Sequence, residues 1–104
     1  MITAVFYKKS GNLSGFKVSG HAEYDDFGLD IVCASVTSAV QLTCNLITDY
    51  FKIKSDVSAE NNTVTLKVVD INEEASLIID NLRNHLKLIS EEFENAIIIK
   101  ISEV

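Results

Sequence analysis

The chain has 104 residues, 47% of them hydrophobic and 23% charged, which predicts a single domain over residues 1–104 and excludes a disordered chain. Nine basic and fifteen acidic residues give a net charge of −6, which argues against direct nucleic-acid binding because phosphate recognition needs a basic surface. No continuous apolar run reaches the roughly 18 residues that span a bilayer. The first positive charges follow an apolar run, the reverse of a secretory signal peptide. We therefore expect a soluble cytoplasmic protein without a membrane partner.

The chain opens with a predicted antiparallel hairpin. Residues 2–8 are β-branched and aromatic, which is typical of a strand, and a turn at 10–12 leads to a second strand over 13–19. Gly15 interrupts the alternation of the second strand and indicates a β-bulge.

A loop and a long helix follow the hairpin. Residues 20–29 are polar and glycine-bounded, which predicts a loop, and residues 30–50 predict a helix with Asp30 as its N-cap. No Lys, Arg, Asp or Glu occurs between Ile31 and Ile47, so we expect this helix to be strongly buried. One sheet covers one helix face, and the same helix of a second subunit would cover the rest. The sequence therefore predicts a homodimer.

The remainder predicts a second hairpin, a second helix and a last strand. The hairpin has strands at 52–58 and 63–70 around a turn at 60–62, a helix opens at 72–74 and a strand spans 96–102. The apolar stripe of the second helix consists of Leu77, Ile78, Leu82, Leu86, Ile89 and Phe93. The order ββαββαβ predicts an α+β fold with a mainly antiparallel sheet packed against two helices.

His21 and Cys33 are the candidates for chemistry. Cys33 is predicted in the first turn of the long helix, where unsatisfied amides and the helix dipole stabilise a thiolate and could hold an oxyanion. His21 follows a glycine at a strand end and could act as general base and then general acid. The alternative for Cys33 is a small buried side chain, and for His21 a structural role.

Other polar residues have two interpretations each. Asp30 caps the helix, orients His21 or does both. Residues 24–27 form either a mobile lid or a solvated acidic loop, with Gly20 and Gly28 as candidate hinges. Thr37 lies one turn beyond Cys33 and is a candidate substrate contact or a packing residue.

The remaining cysteine and histidine are interpreted as structural residues without a catalytic role. Cys44 is interpreted as core and lies about 16 Å from Cys33 along the helix, too far for a disulfide. His85 is interpreted as surface or dimer edge. No familiar zinc-ligand spacing is present, and no cofactor is expected.

The segment Gly20-His21-Ala22, followed by Gly28 and by Asp30-Ile31-Val32-Cys33-Ala34, resembles the signature of the ribosomal-processing cysteine protease family, Prp. The resemblance implies a homodimeric cytosolic endopeptidase without a cofactor. In this family the enzyme removes an apolar, aromatic N-terminal extension from the bacterial large-subunit ribosomal protein L-twenty-seven.

The resemblance also implies roles for individual residues. It places the catalytic cysteine at Cys33, the histidine at His21 and the acidic residue at Asp30. Gly20, Gly28 and Thr37 are predicted substrate-binding residues. Thr37 departs from the serine typical of the family. The alternative functions are a non-catalytic, ribosome-associated peptide-binding homodimer and, less favoured, a redox sensor that uses Cys33.

Overall fold

A five-stranded sheet forms the base of the fold in the computed structural model, which describes residues 1–20 and 27–104. The strands are β1 (Ile2–Lys9), β2 (Asn12–Ser19), β3 (Ser55–Glu60), β4 (Thr63–Val68) and β5 (Ile97–Glu103). Their order across the sheet is β3-β4-β2-β1-β5, and only β1 and β5 pair in parallel. The predicted mainly antiparallel sheet is confirmed.

Two helices complete the predicted ββαββαβ order. Helix α1 spans Phe27–Asn45 and passes directly into one π-helical turn over Leu46–Tyr50, while α2 spans Glu73–Glu92. Asn72 caps α2, since its side-chain oxygen accepts a hydrogen bond of 2.8 Å from the backbone amide of Ala75. The α+β prediction is therefore confirmed.

The start of α1 differs from the prediction. The helix begins at Phe27, so Asp30 lies within its first turns and is not the N-cap, and the predicted loop over 20–29 is wrong for residues 27–29. Gly28 accounts for the error, because glycine is a poor helix former and made this stretch look irregular in the sequence.

The predicted bulge at Gly15 is confirmed. Tyr7 pairs with Gly15 and Lys8 with Leu13, so Ser14 is the extra residue on β2. A Cβ atom at Gly15 would collide with the carbonyl oxygen of Leu66 on the neighbouring strand. Glycine is needed here because the two backbones approach closely.

The second hairpin is shifted relative to its predicted limits. The predicted strand over 52–58 is observed at Ser55–Glu60, because Lys52 adopts φ +52° where the π-helical turn ends. Asn61 and Asn62 have φ of +53° and +58°, as a two-residue type I′ turn requires, so Glu60 still belongs to β3.

The core lies between the sheet and the two helices. The rings of Phe6 and Phe16 meet at its centre, with their centroids 6.2 Å apart. One member of the predicted α2 stripe is wrong, since Leu77 is 64% exposed. Ala75 and Ile79 are buried on α2 and take part in the core.

From residue 31 onward, helix α1 and the π-helical turn that follows it bury one stripe within one chain. The stripe consists of Val32, Val36, Val40, Thr43 and Ile47. Ile31 and Leu42 are 42% and 67% exposed, so the strong burial expected from the sequence holds for one face of the helix in a single chain. The other face carries the uncharged surface that, in the predicted homodimer, a second subunit would cover.

By length and composition alone, α1 and its π-helical extension could cross a membrane. The segment Ile31–Tyr50 has a mean hydropathy of 1.5, although its apolar residues do not form one continuous run. In a single chain 28% of this segment is buried, and its buried stripe packs into the core of the domain.

Candidate active site

An apolar groove of about 560 Å³ lies between α1 and the sheet. Its floor includes Val18 on β2, Val64 on β4 and Val57 and Ala59 on β3. Val57 pairs with buried Leu66 and Ala59 with Val64, so their side chains share the helix-facing side of the sheet. Val57 is 46% exposed because β3 is an edge strand that the helices do not cover. The fold thus leaves an open apolar floor beside α1.

The wall of the groove is one side of α1. Successive helical turns contribute Cys33, Thr37 and Gln41, and Cys44 lies at the far end. Cys33 is half-buried and packs against the hydrophobic core, so its side chain is held at the boundary between core and groove. This placement allows a group bound in the groove to reach the Cys33 sulfur.

The position of Cys33 within the helix corrects one prediction. Because α1 begins at Phe27, Cys33 lies in the second turn and not in the first. In a regular helix the amides without an intrahelical acceptor are then those up to Leu29, so the Cys33 amide is used inside the helix. The helix dipole also weakens beyond the first turn. Activation of Cys33 by the helix terminus is therefore weaker than the sequence suggested.

Gly20 forms one end of the groove and has an unusual backbone. Its φ is +87°, and its amide donates a hydrogen bond of 3.2 Å to the carbonyl oxygen of Asn62 in the β3–β4 turn. A Cβ atom here would lie 2.6 Å from the carbonyl oxygen of Met1. Glycine is therefore required where β2 ends at the groove.

The structure describes the positions of some of the other predicted site residues but not of all. Residues 21–26 lie outside the described residues, and they include His21 and positions 24–26 of the candidate lid. The structure therefore does not place the histidine relative to Cys33. Gly28 and Asp30 lie on α1, with Asp30 one helical turn before Cys33. Thr37 is exposed and lines the groove.

Cys44 has a second role that sequence reasoning missed. It packs against the core, as expected, but it also lines the groove, and Cys44 carries a free thiol. Burial raises the pKa of this thiol above its ordinary value of 9.0, which keeps it protonated at neutral pH. Protonation makes Cys44 a poor nucleophile.

Gln41 was also missed as a groove residue. Its separation from Cys33 by two steps of four residues is the signal in the sequence that could have found it, because such positions share a helix face.

His85 is exposed on α2, as expected. It lies beside a smaller cleft of about 380 Å³ between the helices, together with Ser35, Leu42 and Asn81. Among the residues that the structure describes, no group of three or more His, Cys, Asp or Glu side chains is close enough to hold a metal ion.

Comparisons with a family model, with relatives in sequence and with solved structures all point to one family. The family model described as cysteine protease Prp matches residues 1–98 of this chain. The ribosomal processing cysteine protease Prp of Staphylococcus aureus (strain Mu50 / ATCC 700699) is 29% identical over 101 residues, which cover 93% of this chain and 95% of the relative.

Two crystal structures of the essential ribosomal processing protease Prp from S. aureus have a similar fold. The structure in complex with a substrate peptide has a TM-score of 0.88 and 25% identity, covering 98% of this chain and 100% of that chain. The structure with a covalently linked product peptide has a TM-score of 0.86 and 26% identity with the same coverage. Since the family model matches residues 1–98 and the fold is similar to that of the S. aureus protease, this chain belongs to the Prp family of cysteine proteases.

Proposed function

We propose that this chain is a cytoplasmic endopeptidase that removes the N-terminal extension of ribosomal protein L-twenty-seven, with Cys33 as nucleophile and His21 as general base and acid. The observation that carries the proposal is the location of Cys33 in the wall of an apolar groove. Gly20, which directly precedes His21 in the sequence, lines the same groove. The similar S. aureus protease was crystallised with a substrate peptide and with a covalently linked product peptide.

The proposed reaction proceeds through an acyl-enzyme. His21 takes the proton of the Cys33 thiol, and the thiolate attacks the carbonyl carbon of the scissile bond. The tetrahedral intermediate collapses as the C–N bond breaks, and His21 gives the proton to the leaving amine. Water, deprotonated by His21, then attacks the thioester carbon and the C–S bond breaks. The extension leaves with a new carboxylate, and the proton on His21 returns to the Cys33 sulfur. We expect the oxyanion to be held by amides other than that of Cys33, whose amide belongs to the helix interior.

The dimensions of the groove favour an extended peptide. Its α1 wall runs from Cys33 to Cys44, which is about 16 Å along the helix axis. An extended chain advances about 3.3 Å per residue, so roughly five residues fit along this wall. The valines and Ala59 of the floor suit the apolar, aromatic extension that the family resemblance implies. The negative charge of the protein favours encounter with the basic remainder of a ribosomal protein.

The assembly we propose is a homodimer. In a single chain, Ile31 and Leu42 are exposed on one side of α1, and no charged residue lies between them. A second copy of the helix would remove this apolar surface from water.

Asp30, one turn before Cys33, is proposed as the residue that orients His21.

The test is mass spectrometry of a synthetic peptide that spans the extension and the first mature residues. The wild-type protein should cleave it at one bond, and Cys33→Ala should leave it intact. Cys44→Ala is the matched control, because it removes the other cysteine of the same groove and should cleave normally. Unchanged cleavage by Cys33→Ala would refute the dyad. An intact peptide that binds, detected by fluorescence anisotropy, would favour the non-catalytic peptide-binding homodimer.

A further inference from the structure

Three polar side chains form a row along the α1 wall of the groove. Cys33, Thr37 and Gln41 are separated by four residues each, so they lie on successive turns of one helix face. The floor opposite them is mainly apolar. Gln41 is exposed to the groove and is not needed to satisfy the core. The row thus offers hydrogen-bonding groups on the α1 side of a groove whose other polar lining residues, Glu60, Asn62 and Thr63, lie at the β3–β4 turn.

The spacing of the row matches the repeat of an extended peptide. Four residues of an α-helix rise about 6 Å. Two residues of an extended chain advance about 6.6 Å, and main-chain groups that point to the same side recur at this interval. A substrate whose scissile carbonyl lies at the Cys33 sulfur therefore presents its main chain to Thr37 about two residues away and to Gln41 about four residues away.

The chemistry of Gln41 fits a main-chain partner. Its amide has both an acceptor oxygen and donor hydrogens, so it can pair with a peptide N–H or with a peptide carbonyl. Within residues 1–20 and 27–104, no hydrogen bond engages the Gln41 side chain, which leaves both groups available. A substrate main chain lying on an apolar floor lacks partners for its amides, and an unsatisfied buried amide weakens binding.

We propose that Gln41 is a substrate-positioning residue whose side-chain oxygen accepts a hydrogen bond from the main-chain N–H of the fourth residue before the scissile bond. The residues before the bond are assigned to this wall because they belong to the apolar extension, which suits the apolar floor. The inference rests on the proposed function, since it takes the Cys33 sulfur as the point of attack. Gln41 holds the register of the peptide and takes no part in bond breaking.

The experiment measures kcat and KM of the full chain with the extension peptide and with a second peptide in which an ester replaces the amide N–H of the fourth residue before the cleaved bond. Gln41→Leu should raise KM and lower kcat/KM roughly two- to tenfold, the range for one hydrogen bond, with little change in kcat. Asn84→Leu, on an exposed position of α2 away from the groove, is the matched control and should behave as wild type.

The ester peptide separates a direct contact from a structural effect. Wild type should lose a similar factor with the ester, whereas Gln41→Leu should lose little more, because the partner is already gone. Equal kcat/KM for Gln41→Leu and wild type, or the same ester penalty in both, would overturn the inference.

A binding measurement keeps the inference distinct from the proposed function. In a Cys33→Ala background, adding Gln41→Leu should weaken peptide binding by the same factor, measured by fluorescence anisotropy. Weaker binding without any cleavage by wild type would support the Gln41 contact and refute the protease. Binding that Gln41→Leu leaves unchanged would overturn the contact, even if wild type cleaves. Neither binding nor cleavage of the peptide would overturn both.

Discussion

Cys33 and Cys44 share the wall of one groove but differ in their positions relative to its ends. Cys33 lies in the part of the wall nearer the N-terminus of α1. Gly20, which directly precedes His21 in the sequence, also lines the groove. Cys44 lies about 16 Å further along α1. Burial raises the pKa of the Cys44 thiol, so this residue is expected to remain protonated at neutral pH.

We expect Cys44 to be alkylated slowly at pH 7 in the folded protein and quickly after unfolding in urea. The thiolate is the reactive form, and burial disfavours it only in the folded state. Iodoacetamide labelling of Cys33→Ala, followed by mass spectrometry, isolates Cys44. Equal labelling rates in the folded and unfolded protein would contradict the expectation.

The same shift predicts a dependence of stability on pH. Above pH 9.0 the unfolded thiol ionises while the folded thiol stays protonated, so the free energy of unfolding should fall as the pH rises further. Urea unfolding of wild type and Cys44→Ala at pH 7 and pH 10 checks this. Wild type should lose more stability than the variant, and equal losses would argue against it.

Gly20 and Gly11 form a matched pair for testing why glycine ends β2. Both have positive φ, +87° and +85°, but a Cβ atom meets the Met1 carbonyl oxygen at Gly20 and nothing within 4 Å at Gly11. Gly11→Ala should cost about 1 kcal/mol of unfolding free energy through backbone strain. Gly20→Ala should cost roughly 2–3 kcal/mol, because the backbone contact adds to the strain. Equal costs in urea unfolding would show that the Met1 contact is unimportant.

At the scale of elements, local signals determined most of the structure. The β-branched runs located β1 and β4, and Asn72 with two following acids located the start of α2. The start of α1 was wrong, because Gly28 lowers helix propensity locally while the packed helix continues through it. The prediction that Leu77 belongs to the buried stripe of α2 was wrong for a related reason. A sequence stripe wide enough for two faces does not say which edge meets the sheet.

We expect the N-cap of α2 to contribute measurably to stability. Asn72→Ala removes the 2.8 Å hydrogen bond to the Ala75 amide and should lower the free energy of unfolding by about 1 kcal/mol. Asn84→Ala, at an exposed position inside the same helix, is the control and should be neutral or slightly stabilising because alanine favours helices. The same loss in both variants, measured by urea unfolding, would rule out the cap.

At the scale of the whole molecule, the uncharged outer side of α1 remains to be covered. Ile31 and Leu42 are nearly in line on the helix and are 42% and 67% exposed in one chain. Burial of such residues against a second copy is favourable at about 25 cal/mol per Å² of apolar surface. The composition of the helix and the absence of sheet on this side of α1 are therefore the grounds on which we propose the homodimer.

Leu42→Glu should convert the proposed dimer to monomer while the circular dichroism spectrum stays unchanged. Leu77→Glu is the matched control, because Leu77 is similarly exposed, at 64%, but lies on α2. Sedimentation equilibrium of both variants measures the mass. A dimeric Leu42→Glu, or a monomeric Leu77→Glu, would place the interface elsewhere.

The sequence by itself determined the class of fold, the order of elements and the family, because these depend on periodicity, turn residues and a short motif that are local in the chain. It also singled out Cys33 and His21 by residue type. Only the tertiary structure showed the groove, because its floor joins β2, β3 and β4 while its wall is α1. The pairing of Val57 with Leu66 and the uncovered edge strand decide where this surface lies. Helical spacing puts Gln41 and Cys44 on the side of α1 that carries Cys33, but only contacts between distant segments show that this side faces a groove.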